Sequence, residues 1–334
     1  MGGETCPECS APVSPKDRFC EACGRNLRVR RTPVGGPGSQ WPPLCACGGA
    51  EFDEDGSCEA CGRERPSARD RVEFALPGVA GISDRGRRRR RNEDSMAFGR
   101  VRGRGTAVVV CDGVASSERA EQASQVAVDT AADVLLTGLQ SGTLQSARDA
   151  ERATAEAVVA ANAAVARLAR PEAAEVAPSC TFVSAVVTDG SATVGWVGDS
   201  RAYLVAEAGA ARLTSDDTWA AQLVAQGVLT EEEALTDRRA HVLSRWLGAD
   251  SGVTGPQTVT FMVETPGLLV LCSDGLWNYV PEPEDLLAAL PPEAIARRVA
   301  PLEVARALVQ VALAAGGHDN ITVVVVQLRG GGGS

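Results

Sequence analysis

Six apolar runs with the composition of β-strands most constrain what this chain can fold into. They are rich in valine and other strand-forming residues, and several stop directly at an aspartate. The runs are GVAGISD (78–84), TAVVVCD (106–112), CTFVSAVVT (180–188), ATVGWVGD (192–199), GLLVLCSD (267–274) and ITVVVVQL (321–328). We predict a strand from each of them.

Alanine-rich stretches with helical composition lie between these runs. We predict helices over Ala120–Leu136, Ala150–Arg170 and Leu302–Ala314. The strands occur in clusters and the helices lie between the clusters, so the two kinds of element do not alternate one to one. This order favours an α+β fold over a doubly wound parallel sheet.

Four of the predicted strands have an aspartate at one end. Asp112, Asp199 and Asp274 follow apolar runs, and Asp319 lies just before one. One such aspartate is commonly a turn former, whereas four together favour a shared role. Two unit charges about 4 Å apart repel by about 4 kcal/mol at an effective dielectric of about 20, so clustered acids bind cations or shift their pKa values. Oxygen ligands suit Mg²⁺ and Mn²⁺, and a pair of such ions is a common phosphate-hydrolysing centre.

A run of five arginines, Arg87 to Arg91, lies directly before Asn92, Glu93 and Asp94. A basic run can be a nucleic-acid or localisation patch. The chain as a whole has a formal net charge of −10, which argues against a general nucleic-acid binder because such affinity comes mainly from lysine and arginine. Arginine also binds phosphoryl oxygens through paired hydrogen bonds. We therefore interpret one arginine of the run, directed inward from a strand, as a phosphate ligand.

Taken together, these residues resemble the metal-dependent protein Ser/Thr phosphatases of type 2C, over about residues 76–328. The resemblance implies two antiparallel sheets packed as a sandwich flanked by helices (αββα), with the metal ions at one edge of the sandwich. It also implies that a water molecule activated by two metal ions hydrolyses phosphoserine and phosphothreonine in proteins.

The resemblance assigns roles to the residues that match the family's motifs. In RRRNED, Arg89 is the expected phosphate-binding arginine, and Glu93 and Asp94 are expected in the inner or outer shell of the metals. In the DG motif, Asp112 is expected to bridge both metals, and the carbonyl group of Gly113 to bind one of them. The predicted catalytic residues are therefore Arg89 and Asp112.

Three further aspartates match motifs of the family. Asp199, in GDSR, is expected at a more weakly held third metal, and Asp274 and Asp319, in SDG and DN, at the tighter metal. The cofactors are two Mn²⁺ or Mg²⁺ ions and, at Asp199, the weaker third. The full predicted set of ligands is Glu93, Asp94, Asp112, Gly113, Asp199, Asp274 and Asp319.

Some positions depart from the family's pattern. Some members carry a general-acid histidine directly after DG, where this chain has Val114, so a metal-bound water is the expected proton donor. Bacterial-type members have a methionine and two glycines where this chain has VAS (114–116). Leu213–Gly248 resembles the family's flap segment and begins with a helix, but Asp217 stands where histidine is usual.

Eight of the eleven cysteines lie in the first 61 residues. Their C-x-x-C and C-x-C spacings are typical of structural zinc sites with four thiolates. Disulfides are the alternative, but the chain shows no export signal. We predict two structural Zn²⁺ ions, in a region that recruits partners without taking part in catalysis. The two sets are Cys6, Cys9, Cys20 and Cys23, and then Cys45, Cys47, Cys58 and Cys61.

The composition divides the chain into three predicted regions. Residues 1–66 form a Cys-rich double zinc-ribbon-like region with a Pro/Gly linker, 72–328 the catalytic domain, and 329–334 a flexible Gly-rich tail. No apolar run approaches the roughly 20 residues that span a bilayer. We expect a cytoplasmic protein with no membrane or nucleic-acid partner. Its expected partners are phosphorylated proteins, a Ser/Thr kinase and that kinase's substrates among them.

A competing hypothesis belongs to a different functional class. The chain would be a degenerate or catalytically weak phosphatase domain that serves as a phosphoprotein-binding scaffold. Degenerate members lose metal-binding aspartates, and this chain keeps all of them, which favours an enzyme. The altered loop Val114–Ser116 is the feature that keeps the scaffold hypothesis open.

Overall fold

A computed structural model describes residues 11–14, 20–22, 29–33, 47–53, 57–62, 67–170, 177–230, 233, 239, 242–252, 255–296 and 299–330. The strands are β1 (Val29–Arg31), β2 (Arg71–Leu76), β3 (Val79–Asp84), β4 (Ser95–Val101), β5 (Gly105–Cys111), β6 (Ser179–Cys180), β7 (Phe182–Val187), β8 (Ser191–Val197), β9 (Arg201–Ala206), β10 (Gly209–Arg212), β11 (Leu247–Gly248), β12 (Gln257–Met262), β13 (Gly267–Cys272) and β14 (Ile321–Leu328). The helices are α1 (Ala120–Ser141), α2 (Ala147–Ala166), α3 (Trp219–Ala225), α4 (Asp274–Trp277), α5 (Pro283–Ala288) and α6 (Pro301–Ala314).

Two six-stranded sheets dominate the structure, and every pair of neighbouring strands in them is antiparallel. The first sheet has the order β1-β4-β5-β7-β8-β12, and the second has the order β10-β9-β13-β14-β3-β2. A third, two-stranded sheet pairs β11 with β6. Along the described strands, the chain crosses from one large sheet to the other between β1 and β2, β3 and β4, β8 and β9, β10 and β12, and β12 and β13.

The two large sheets pack face to face with helices on both outer faces. Phe98 and Val110 of the first sheet share one buried cluster with Leu269 and Val324 of the second. The other face of the first sheet packs on α1 and α2, and the other face of the second packs on α4, α5 and α6. The predicted αββα sandwich is confirmed.

Both faces of each large sheet are buried, which explains why the strand sequences are nearly continuous apolar runs. Along β5, Val108 and Val110 lie in the interior between the sheets, whereas Val109 and Cys111 pack against the helices. Successive side chains of a strand point to opposite faces, so both sets must be apolar when both faces are covered. Small alanines on α1 and α2 let these helices lie close to the sheet.

The predicted helices occur with shifted ends. The first extends past Leu136 to Ser141, where Gly142 adopts a left-handed conformation (φ 75°) and its N–H binds the Gly138 carbonyl. The second begins earlier than predicted because the Ser146 side chain accepts a hydrogen bond from the N–H of Asp149, and it ends at Ala166. Among the described residues, no helix combines the length and the apolar character that a bilayer crossing requires.

A short segment inside the predicted Cys-rich region belongs to the first sheet. Val29–Arg31 form β1, which pairs with β4 at the edge of that sheet. Thr32 continues the contact, since its backbone N–H donates to the Met96 carbonyl at 2.9 Å and its hydroxyl accepts from the Met96 N–H at 2.9 Å. Residues 29–33 are therefore packed on the sandwich although they lie before residue 66.

Candidate active site

Antiparallel pairing brings the acidic strand ends to one edge of the sandwich. Cys111 at the end of β5 pairs with Ser95 at the start of β4, which places Asp112 beside Asp94. In the second sheet, Cys272 pairs with Val323, so Asp274 and Asp319 lie at the same end of β13 and β14. Asp199 lies in the connection between the sheets at this edge.

These carboxyl groups lie close enough together to raise one another's pKa values. Burial raises the pKa of Asp112 well above its usual range, and the charges of Asp94, Asp274, Asp319 and Asp199 raise it further. Burial likewise raises the pKa of Asp274, with added repulsion from Asp199, Asp319 and Asp94. Carboxyl groups in this situation are stabilised in their charged form by a cation.

Asp94 is the most enclosed of the group. Its side chain is fully buried, and one carboxylate oxygen accepts a hydrogen bond from the Ser273 hydroxyl at 2.7 Å. The other oxygen, Oδ1, has no hydrogen-bond partner among the residues that the structure describes. Burial raises the pKa of Asp94 to about 6. A buried oxygen without a partner is costly, and a cation with oxygen ligands fits that position.

Asp199 lies at the other side of the group. Burial raises the pKa of its carboxyl group to about 7, and the charge of Asp216 adds to the effect. Asp216 is itself held by Arg201 through two hydrogen bonds, at 3.0 Å and 2.7 Å. The Trp277 indole N–H donates to the Asp199 carbonyl at 2.8 Å. These contacts fix the backbone of the GDSR turn that carries Asp199.

Two glycines allow the backbone to pack tightly around the acids. A Cβ atom at Gly113 would lie 2.6 Å from the Ala120 carbonyl oxygen and 2.9 Å from that of Glu93. A Cβ atom at Gly275 would lie 1.9 Å from the Asn320 carbonyl oxygen. Contacts this short exclude any larger residue, so the glycines after Asp112 and Asp274 are required by packing.

The arginine run lies in the connection between β3 and β4. The prediction that an arginine is directed inward from a strand was wrong, because β3 ends at Asp84 and β4 begins at Ser95. Arg89 alone of the five is partly enclosed, and its Nη2 donates to Asp319 Oδ2 at 2.5 Å. The guanidinium group therefore lies at the acidic edge, next to a predicted metal ligand.

Asn320 holds this loop in place, and the motif analysis gave it no role. Its side-chain N–H₂ donates to the carbonyl groups of Arg85 and Arg91, at 2.8 Å and 2.9 Å. Its side-chain oxygen accepts the backbone N–H of Glu93 at 2.8 Å. One buried amide thus ties both ends of the arginine loop to the start of β14.

The comparisons with known proteins agree with this geometry. A sequence model of the protein phosphatase 2C family matches residues 84–311. The chain belongs to this family. It is 30% identical over 247 residues to the serine/threonine phosphatase stp of Listeria monocytogenes, which covers 73% of this chain and 93% of that protein. The predicted family and class of enzyme are confirmed.

Solved structures of the family show the same fold. The serine/threonine phosphatase Stp1 from Staphylococcus aureus matches with a TM-score of 0.65 and 26% identity, over 78% of this chain and 97% of that chain. The catalytic domain of the serine/threonine phosphatase PstP, solved in complex with two manganese ions, matches with a TM-score of 0.54 and 27% identity. That match covers 75% of this chain and 97% of the PstP chain.

Asp217, which departs from the family's pattern in the flap, has a packing role. It is buried and contacts Arg245 Nη1 at 3.1 Å and the Gln257 side-chain N–H₂ at 2.8 Å. It also accepts the backbone N–H of Gly198, one residue before Asp199. Asp217 therefore links the flap to the turn that carries Asp199.

Arg69 is a second residue that no sequence motif indicated. It is 2% exposed, and its guanidinium group donates to the carbonyl oxygens of Asn92 at 3.3 Å and Asp94 at 2.8 Å. It also forms an ion pair with Glu121 of α1 at 3.3 Å. Arg69 thus positions the backbone that carries the acidic pair.

Three cysteines of the second predicted zinc set lie together. The sulfur atoms of Cys47, Cys58 and Cys61 are all within 4.8 Å of one another, and those of Cys47 and Cys58 are 3.6 Å apart. Their partner Cys45 lies outside the described residues. In the first set, Cys20 is buried. The other three members, Cys6, Cys9 and Cys23, lie outside the described residues.

Elsewhere in the described residues, no three His, Cys, Asp or Glu side chains bring ligand atoms that close to one another. The carboxyl groups at the sandwich edge are near enough to raise one another's pKa values without forming so tight a group.

Proposed function

We propose that the chain hydrolyses phosphoserine and phosphothreonine in proteins, with two Mn²⁺ or Mg²⁺ ions bound by the carboxylates at the sandwich edge. The observation that carries the proposal is the convergence of Asp94, Asp112, Asp274 and Asp319 beside Arg89. The unpartnered oxygen of buried Asp94 and the raised pKa values fit a cation in their midst. The relative PstP, solved with two manganese ions, supports the number of ions.

In this proposal, the residues at the sandwich edge have separate chemical roles. Bound divalent ions supply positive charge that lowers the pKa of a water molecule and offsets charge on a phosphoryl group. Asp112, Asp274 and Asp319 would hold the ions, and the unpartnered Oδ1 of Asp94 would offer a further oxygen. Arg89 binds the phosphoryl oxygens, exchanging its contact with Asp319 for the substrate. Val114, after the DG motif, has no proton to give, so a water molecule held at the metal site would protonate the leaving oxygen.

Substitution of one carboxylate by its amide tests the proposal. Asp274→Asn or Asp319→Asn keeps the size of the side chain and removes the charge that a divalent ion needs. Phosphate release from a phosphothreonine peptide in Mn²⁺ should be lost, whereas the circular dichroism spectrum should be unchanged. Asp189→Asn, a conservative change of an exposed carboxylate in the turn between β7 and β8, at the opposite end of these strands from Asp199, is the matched control. Turnover close to that of the native enzyme in either variant contradicts the proposal.

The same measurement separates the enzyme from the scaffold hypothesis. A degenerate domain would bind phosphopeptide without releasing phosphate at any Mn²⁺ concentration. The retained aspartates favour the enzyme. The altered loop is anchored, since the Val114 N–H donates to the Ser179 carbonyl at 3.0 Å and the Ser117 hydroxyl to the Val114 carbonyl at 2.7 Å.

The Cys-rich region has a separate, structural role in this proposal. Two Zn²⁺ ions hold residues 1–66, with four thiolates for each ion, and the region recruits phosphoproteins. The grouping of Cys47, Cys58 and Cys61 supports the second of these sites. A closed site with four sulfur ligands leaves no open position for chemistry. Metal analysis of the purified chain should find two zinc ions that dialysis against Mn²⁺ does not displace, and a chain without zinc contradicts this part.

A further inference from the structure

A cleft of about 760 Å³ lies beside Arg89, and its composition is unlike that of the chain as a whole. Four consecutive arginines, Arg88 to Arg91, line it together with Glu93, Ala115 and Ser57. Four arginines thus line the cleft together with one acidic residue, in a chain whose formal net charge is −10. A cleft lined by one sign of charge concentrates ligands of the opposite sign.

The arginine loop is held in a fixed shape by its backbone. Asn320 binds the carbonyl groups of Arg85 and Arg91, and the Arg87 N–H donates to the Gly317 carbonyl at 2.7 Å. The side chains of Arg88 and Arg91 are exposed, and within the described residues neither forms an ion pair with a carboxylate. Neighbouring cations repel one another. An anion bound among these arginines would offset that repulsion, so the loop favours anion binding.

Ser57 places the Cys-rich region on the wall of the same cleft. It lies in a hairpin in which Phe52 pairs with Cys58, and its N–H donates to Asp53 Oδ1 at 2.7 Å. The cysteine group that includes Cys58 therefore stands next to the arginine loop. A cleft of this volume is within the range that holds a drug-sized ligand, which corresponds to a few residues of an extended peptide.

We propose that this cleft binds a second anionic group of the substrate, so that the enzyme prefers phosphorylated residues flanked by carboxylates or by another phosphate. This inference rests on the proposed phosphatase function. Arg89 takes the phosphate that is hydrolysed, and Arg88 and Arg91 take the flanking anion through the paired hydrogen bonds that guanidinium groups form with phosphate and carboxylate. Ser57 lines the cleft on the side of the Cys-rich region.

The test compares three phosphothreonine peptides on the full-length chain in Mn²⁺. One has neutral neighbours, one has flanking glutamates, and one has a flanking phosphonate that mimics a second, non-hydrolysable phosphate. We expect a higher kcat/KM for both anionic peptides than for the neutral peptide, and a smaller difference as salt is raised. A preference for the phosphonate peptide alone assigns the cleft to phosphate, and a preference shared by both assigns it to anions in general.

Variants of single arginines provide the matched control. Arg88→Gln and Arg91→Gln should each lower kcat/KM for the anionic peptides by about two- to fivefold, the effect of one exposed charge pair. The neutral peptide should be hydrolysed as before. Arg87→Gln removes the same charge from an exposed arginine of the same run that does not line the cleft, and it should change neither rate.

Two outcomes overturn the inference. One is an equal kcat/KM for all three peptides. The other is an equal loss with Arg87→Gln, which would make the run a generic basic patch. Hydrolysis of a small aryl phosphate shows whether the chemistry itself works, so failure of this inference is distinguishable from failure of the proposed function.

Discussion

At the scale of single residues, the raised pKa of Asp94 is the property that links the stability of the fold to the proposed metal ions. Its pKa of about 6, against an ordinary value of 3.8, arises mainly from burial, and Asp199 is raised to about 7 for the same reason. A carboxyl group whose folded-state pKa is raised stabilises the fold while it is protonated. That contribution is full below about pH 4 and is lost as the pH rises through about 6 to 7.

We therefore expect the metal-free protein to become less stable between about pH 5 and about pH 7.5. Thermal unfolding in chelator should show a lower Tm at the higher pH, and Mn²⁺ should raise the Tm more at the higher pH, where the carboxyl groups are charged. Asp94→Asn cannot ionise, so in chelator its Tm should vary less with pH. A metal-free Tm that is constant or rises over this range contradicts the prediction.

The residues that sequence motifs identified are those whose proposed roles lie in their own side-chain chemistry. Asp112, Asp274 and Arg89 lie where the motifs predicted, at one edge of the sandwich. Asn320 and Arg69 were missed because they act on backbone atoms of distant segments, 229 and 25 residues away in the chain. No local pattern records which carbonyl group a buried donor will reach.

The connection between β3 and β4 carries Arg89, on which the proposed phosphate binding depends. Its arginines were predicted on a strand because RRRNED adjoins one, but ten residues separate Asp84 from Ser95 and they follow turns. The orientation of Arg89 is therefore set by the hydrogen bonds of Asn320 and not by the alternation of a strand. The strands themselves were predictable because burial on both faces requires continuous apolar runs.

Removal of the Asn320 side chain should loosen this connection without touching the substrate. Asn320→Ala removes three hydrogen bonds at a buried position, and we expect a loss of about 1–3 kcal/mol in the free energy of unfolding. KM for a phosphopeptide should rise by about three- to tenfold, because Arg89 is no longer held toward the phosphate.

A double-mutant cycle with Arg89→Ala provides the control. If Asn320 acts through Arg89, its substitution should raise KM little further once Arg89 is gone. Equal effects of Asn320→Ala in both backgrounds would show that the amide acts on the metal ligands instead.

At the scale of the whole molecule, the boundary between the Cys-rich region and the catalytic domain is not marked by a simple linker. The sequence did not predict a strand at Val29–Arg31, because three residues are too few to show a periodic apolar pattern. They nevertheless extend the first sheet as β1, and Arg31 forms an ion pair with Asp129 of α1 at 3.2 Å. Arg69 also donates to the Pro33 carbonyl at 2.9 Å. The predicted division at residue 66 remains a proposal about function, while the contacts of residues 29–33 concern stability.

Two truncations separate these contributions. Deletion of residues 1–28 keeps β1 and its contacts, whereas deletion of residues 1–66 removes them and exposes the edge of β4. We expect the longer deletion to be less stable than the shorter by about 2–4 kcal/mol, from several lost hydrogen bonds at about 0.5–1.5 kcal/mol each. Urea unfolding measures the difference.

Both proteins should hydrolyse a small aryl phosphate at the native rate in saturating Mn²⁺, because every proposed Mn²⁺ or Mg²⁺ ligand and Arg89 lie beyond residue 66. Only the longer deletion should weaken the preference for anionic peptides, since it alone removes Ser57 from the arginine cleft, while Arg88 and Arg91 remain in both proteins. Equal stability of the two proteins would show that β1 contributes nothing, and loss of aryl phosphatase activity from a folded protein lacking residues 1–66 would make the Cys-rich region part of the catalytic unit.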